Sequence, residues 1–384
     1  MEENKPDPVK KVIEELSHEA EQDKAAVGQA QSYLTTADPE QLEHREREYR
    51  DVEKHFVRNN WLRYAQGVAG ENKRKIKYLA LPAYYRLDVS LFQKHNILDS
   101  TETADGKTIL AVAAFETDPT KYARMMSQSP AMQLLALSSV EEALTDKKNK
   151  YYFELLKLFP FDVVNLDLTT SLTPQHEGPY STVMRALEEI MVRQAAHAGE
   201  WALFLTFRNV SDEWEAAALE TFLNNLQRNL DQHPEVRDSF VTAYNCTSVK
   251  KLSDQNMKNA ITQSVIKWLV DRAHHYGIRL VASRSYYYQR YEAPAPYTIT
   301  KLMLRLTRGE FADSVIPTKD VPRQTWMNQD LLRCIERNQR RDVEEILYSG
   351  PREKLLRLES EIEELIRIAD EQTGAAQGPP PSKV

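Results

Sequence analysis

Glycine is scarce in this chain: there are 11 in 384 residues, and none between Glu71 and Asp105. The sequence holds no phosphate-cradling GxxxxGK[ST] loop, no GxSxG and no HExxH. Those absences remove the signatures of P-loop nucleotide chemistry, serine-type acyl transfer and zinc peptidase chemistry. Cysteine is nearly missing too. Cys246 and Cys334, far apart in sequence, cannot build a disulfide scaffold or a cysteine zinc site, and they suit a reducing compartment. No apolar run approaches ~18 residues, so no membrane span is expected. No apolar segment follows the opening MEENKPDPVKK, so no secretory signal is expected either, and cytoplasm is the default location. Positive charge is not in excess: the net charge is −7, so bulk charge gives no support for nucleic-acid binding, which would need a local basic patch.

Apolar residues make up 41% of the chain and charged ones 28%. That is globular composition with a polar bias, long enough for a full core. Residues 1–71 read as a helical arm. Asp38-Pro39 makes a cap followed by a first-turn proline, and Leu42, Tyr49, Val52, Phe56 and Leu62 supply one apolar stripe. The stripe either packs on the central domain or meets a partner helix.

From Lys75 short apolar runs alternate with helix-like stretches. Strands are expected at 76–81, 109–115, 132–137, 162–168 and 201–207, with helices between them, among them 87–95, 119–126, 151–158 and 182–197. Continuous apolar runs of this length point to a parallel sheet covered on both faces. Helical stretches at 211–229 and 249–276 follow, the second stopped by Gly277. Strands at 278–283 and 297–306, joined through Glu292-Ala293-Pro294-Ala295-Pro296, read as an antiparallel hairpin at one end of the sheet. The fold expected is therefore α/β: a doubly wound, mainly parallel seven-stranded sheet with a C-terminal hairpin and helical extensions at both ends. The expected divisions are the arm 1–71, the domain 72–312, a helical extension 313–372 and a disordered Gly/Pro-rich tail 373–384. Within the extension, 326–347 and 351–372 read as two helices. The second carries Leu355, Leu358, Ile362, Leu365 and Ile366 at a spacing that suits a short coiled coil.

Five strand–helix units followed by an antiparallel strand pair resemble the class I (Rossmann-like) S-adenosylmethionine-dependent methyltransferases, over roughly residues 72–310. The resemblance rests on element order and marks the chain as a degenerate member. It implies a cofactor turn after the first strand, here Leu81-Pro82-Ala83-Tyr84-Tyr85-Arg86-Leu87-Asp88, which contains no glycine. Glycine serves such turns because it tolerates positive φ and lets the backbone approach the ligand. Leu81, Pro82 and Tyr84 would line that turn. The resemblance further implies an acidic residue for the ribose, at Glu116, and a residue near the adenine, usually acidic, here at Ser138 or Ser139. Glu116 could equally cap the next helix together with Asp118 and Pro119, and serine is common at helix caps. Beyond the fourth strand it places Asn165 and Asp167 beside methyl donor and acceptor. Alternation with Leu166 and Leu168 puts both on one face, where they either serve chemistry or order the following loop. The Asp/Asn-Pro-Pro-aromatic sequence of amino-group methyltransferases is replaced here by Asp167-Leu168-Thr169-Thr170.

A segment rich in tyrosine and arginine stands apart. Arg284, Tyr286, Tyr287, Tyr288 and Arg290 lie beside the expected ligand edge. Interleaved aromatics and arginines can stack on bases or grip a peptide, or they can pack on the helical arm. His274-His275 has the wrong spacing for a metal pair on a helix and suits a helix C-terminus.

Three functions are compatible with this reading. The first is a non-catalytic or weakly catalytic methyltransferase-like subunit that scaffolds an intracellular protein complex or homo-oligomer through its helical arms. The second is an active methyltransferase with a divergent loop, using S-adenosylmethionine. The third is a nucleic-acid-binding subunit working through the tyrosine–arginine segment.

Overall fold

The computed structural model describes residues 51–372, apart from 83–84, 169, 176, 178–179, 247, 250–251, 253, 291–295, 310–322 and 338–340. The arm before residue 51, the tail after 372, Tyr84 and the 292–295 connection therefore lie outside the described residues.

The chain is an α/β protein. Among the described residues there are nine strands in one mixed sheet and twelve α-helices. In chain order they are α1 (Val52–Asn72), β1 (Tyr78–Ala80), α2 (Leu87–Lys94), β2 (Ser100–Glu102), β3 (Thr108–Glu116), α3 (Pro119–Met126), β4 (Ala131–Leu137), α4 (Val140–Thr145), α5 (Tyr152–Leu158), β5 (Val163–Asp167), α6 (Thr182–Gln194), β6 (Trp201–Arg208), α7 (Ala216–Gln232), α8 (Pro234–Tyr244), α9 (Asp254–His275), β7 (Ile278–Arg290), β8 (Tyr297–Arg308), α10 (Arg323–Arg337), β9 (Arg341–Asp342), α11 (Val343–Tyr348) and α12 (Arg352–Gln372).

The sheet runs β2-β3-β1-β5-β6-β8-β7-β9, with β4 on the other edge of β3. Strands β4, β3, β1, β5 and β6 are parallel to one another, and β2 is antiparallel to β3. β8 is antiparallel to both β6 and β7 and lies between them. The five expected parallel strands are thus side by side, and the expected hairpin closes one end. The expected count of seven is corrected to nine. β2 is a short exposed strand with no apolar signal, and β9 is only two residues long.

Local sequence sets the element ends. Asp118 accepts from the backbone N–H groups of Thr120 and Lys121, and Pro119 fills the first turn of α3. Ser181 and Glu215 cap α6 and α7 in the same way. Gly277, at φ +73°, follows α9 as the stop that only glycine adopts without strain. Three boundaries differ from expectation. β7 continues to Arg290, because its second half pairs along its whole length with β8. The expected helix 326–347 is split into α10 and α11 around β9, which pairs with β7 at Tyr286 and Tyr287. α8, whose Val236, Phe240 and Tyr244 are buried at four-residue spacing, was not expected.

Alternation along the strands divides the interior into two cores, one on each face. Ala113, Phe115, Val164, Leu166, Leu203 and Leu205 face the core shared with α4–α10. Tyr78, Val112, Ala114, Val163 and Phe204 face the core shared with α1, α2, α11 and α12. The apolar stripe of α1, from Val57 to Val68, is buried there, stacked through Trp61 on Phe204 at 5.6 Å. The stripe of α12 is buried in the same core through Leu358, Ile362, Leu365 and Ile366. Among the described residues, then, α1 and α12 bury their apolar faces inside this chain on one side of the sheet, while α10 packs on the other.

Candidate functional site

The carboxyl ends of β1, β3 and β5 form the rim where an open α/β sheet binds ligands. Cross-strand register carries one polar row across it. Asp167 of β5 pairs with Thr206 of β6, Thr206 with Lys301 of β8, and Lys301 with Tyr286 of β7. All four face α1. Lys301 Nζ donates to Asp167 Oδ1 at 2.9 Å and to Thr206 Oγ1 at 3.1 Å. It also lies 4.8 Å from the Trp61 ring centroid and 5.9 Å from that of Tyr288, within cation–π range. From α1, Lys54 Nζ stands 3.2 Å from Asp167 Oδ2. Burial alone would raise the Asp167 carboxyl, but Lys301 and Lys54 outweigh it and hold the group well below the usual carboxylate range. Burial pulls the Lys301 ammonium down to about 8, against the opposing pull of Asp167.

Next to this row is a second buried network. Tyr78 of β1 donates to Asp88 of α2 at 2.5 Å, and Asn165 Nδ2 donates to Tyr78 Oη at 2.9 Å and to Asp88 Oδ2 at 3.4 Å. Burial, then Asp88, pushes the Tyr78 phenol well above its usual range. Asn165 Oδ1 is buried without a hydrogen-bond partner. Asn165 and Asp167 do share a face, as their alternation implies, but they enter different networks.

The remaining candidates are dispersed. Leu81 packs partly on the α4–α10 core, Pro82 is buried, and Tyr84 lies outside the described residues. Tyr85 is buried in the α1/α2 core. Glu116 Oε1 accepts from its own chain, at the N–H groups of Thr117 and Asp118, both at 2.9 Å. Burial raises its carboxyl. Ser138 Oγ accepts from Asn149 at 2.9 Å and donates to Ser139 O at 3.2 Å, while Ser139 caps α4.

The tyrosine–arginine segment is a regular part of β7, and its inward face meets α1. Tyr286 donates to Asn60 at 3.2 Å, packs edge-on against Phe56 and accepts from Arg284 at 3.4 Å. Tyr288 is buried. Arg290 pairs at 2.8 Å with Asp51, whose other oxygen caps α1 at Lys54 N. Tyr287 points to the opposite face and is half-buried.

Lys301 and Lys54 escaped the sequence reading, and Asp88 entered it only as the last residue of the expected cofactor turn. The available signal for Lys301 was a lysine between Ile299 and Met303 on one face of β8. Among the described residues no group of three or more His, Cys, Asp or Glu side chains converges to hold a metal ion. No helix there is long and apolar enough to cross a membrane.

A family model described as PP_RS20740-like matches residues 52–318. No curated protein and no solved structure matches the chain.

Proposed function

We propose that this chain, which belongs to the PP_RS20740-like family, is a methyltransferase-like Rossmann domain that serves as a non-catalytic, protein-binding scaffold subunit in the cytoplasm. The strand order β4-β3-β1-β5-β6 corresponds to the doubly wound order 3-2-1-4-5, with its reversal between β1 and β5. A terminal antiparallel pair follows, and helices cover both faces. This supports the methyltransferase-like part of the reading at the level of fold alone.

The observation that carries the non-catalytic part is the state of Asp167. The carboxylate best placed beyond the switch point is engaged by Lys301 on one oxygen and Lys54 on the other. A carboxylate held so far below its usual range is a poor proton acceptor at neutral pH. Glu116, the ribose candidate, turns one oxygen onto its own backbone. Both cysteines are free and buried, as suits a reducing interior.

Calorimetric titration with S-adenosylmethionine and with its demethylated product tests this. The expected result is no saturable heat at millimolar ligand. Saturable binding that disappears in Glu116→Ala would overturn the scaffold reading in favour of a working cofactor site.

A further inference from the structure

Arg58 sits at the centre of the sheet-facing side of α1, one turn from Lys54 and from Trp61. Its side chain is 5% exposed, and Nη1 is buried with no hydrogen-bond partner. Among the described residues no carboxylate pairs with it. The nearby acids are already committed: Asp167 to Lys301 and Lys54, and Asp51 to Arg290. Lys54, Arg58, Arg290 and Lys301 thus gather around Asp167 and Asp51, with Glu53 beside Asp51 and Asp88 beside Asn165, in a chain whose net charge is −7. The field of Arg58 is felt by Lys301, Tyr288 and His55, each of which it pushes toward lower pKa. A guanidinium taken out of water without a counter-ion is strongly unfavourable, and native proteins pair such groups.

A second orphan lies on the same face. Asn165 is 1% exposed, and its Nδ2 is fixed toward Tyr78 and Asp88. Oδ1 is therefore turned away from those partners, with nothing to accept from. As an acceptor it calls for a donor, which the hydroxyl of a protonated phosphate group carries and an ionised carboxylate does not. Lys54 and Asp167, beside this region, have side chains 18% and 15% exposed.

We infer that Arg58 anchors a small-ligand site beneath α1 that takes an oxyanion, a carboxylate or phosphoryl group, with Lys54 at its mouth. The planar guanidinium fork matches either group through two parallel hydrogen bonds. The inference stands apart from the methyltransferase-like reading, because it concerns anion recognition by α1 and does not require a nucleotide.

The test is melting temperature at constant ionic strength, with chloride replaced stepwise by inorganic phosphate or by acetate, on the full chain and on Arg58→Met. A ligand of the folded state raises Tm in a saturable way, while general screening does not distinguish the anions. The expected result is a saturable rise with phosphate or acetate in the parent chain, absent in Arg58→Met. The stronger responder identifies the group recognised. If neither anion raises Tm above the chloride control, or if both proteins respond alike, the site does not exist. Arg58→Lys keeps the charge without the fork and covers the case in which Arg58→Met fails to fold. About tenfold weaker apparent affinity is expected, and unchanged affinity would overturn the assignment.

Discussion

Asp167 and Lys301 are two cross-strand steps apart, on β5 and β8, and their 2.9 Å ion pair fixes the seat of α1 on the sheet. Thr206 lies between them and hydrogen-bonds the lysine. Lys54 then reaches down from α1 to the free carboxylate oxygen. One polar row thereby joins three strands and a helix that precedes the sheet in sequence.

Breaking this pair from one side leaves a buried charge. Asp167→Asn is expected to destabilise the protein by about 3–5 kcal/mol, because Lys301 loses its counter-ion where water cannot replace it. The double variant Asp167→Leu with Lys301→Met removes both charges and is expected to recover most of that loss. Urea unfolding of the parent, the single and the double variants measures both terms. A loss below about 1 kcal/mol in Asp167→Asn would show that the lysine finds solvent instead.

His55 gives a pH dependence of definite sign. It is fully buried on α1, 3.3 Å from Glu361 of α12. Burial first, then Arg58, pulls its pKa from 6.5 down to about 4. The unfolded chain therefore takes up a proton between pH 6.5 and 4 that the folded chain refuses. Its stabilising contribution is complete above pH 6.5 and is lost as pH falls towards 4, by about 3 kcal/mol at most. Unfolding free energies from pH 7.5 to 4 should fall less steeply in His55→Gln. Parallel pH profiles for the two proteins would assign the acid sensitivity to the carboxylates instead.

The parallel strands were legible because burial on both faces writes continuous apolar runs such as Ile109–Phe115 and Ala202–Leu205. Helix ends were legible wherever a side chain caps the backbone, as at Asp118 and Gly277. β2 was not, because its Ser-Thr-Glu is exposed and its strand geometry comes only from pairing with β3. The second half of β7 was ambiguous for a similar reason. A run of tyrosines and arginines fits a loop or a strand until β8 pairs with it. At the site, Asp167 and Asn165 were legible as polar residues inside an apolar strand. Their partners were not. Lys301 is 134 residues away from Asp167, and Tyr78 is 87 away from Asn165. No local pattern encodes such long-range pairing.

Asp330 is a buried anion with a full set of donors, and it should tolerate no neutral replacement. It accepts from His274 at 2.8 Å, Arg279 at 3.0 Å, the Leu280 N–H at 3.1 Å and Arg333 at 3.3 Å. Through these bonds α10 is tied to the end of α9 and the start of β7. Asp330→Ala leaves a histidine and a backbone N–H buried without an acceptor, at about 3 kcal/mol or more. Amide hydrogen exchange should show β7 losing protection near Leu280, with little change in β3. Equal loss of protection in both strands would mean that the tie serves global rather than local stability.

The apolar stripe of α12 separates an internal role from a partner-helix role. Ile362 is 1% exposed and lies in the core built with α1 and α2. Truncating it there removes buried methyl groups and leaves a cavity. Ile362→Ala is therefore expected to cost about 2–5 kcal/mol in the isolated chain. Ser360→Ala, on the exposed face of the same helix, should stay within about 0.5 kcal/mol. A stripe used for a coiled coil between chains gives a different pattern: Ile362→Ala would then dissociate an oligomer and make stability depend on protein concentration. Urea unfolding at two concentrations tenfold apart, together with light scattering, distinguishes the two. A concentration-independent loss in Ile362→Ala is the outcome that the burial of Leu358, Ile362, Leu365 and Ile366 against α1 and α2 requires.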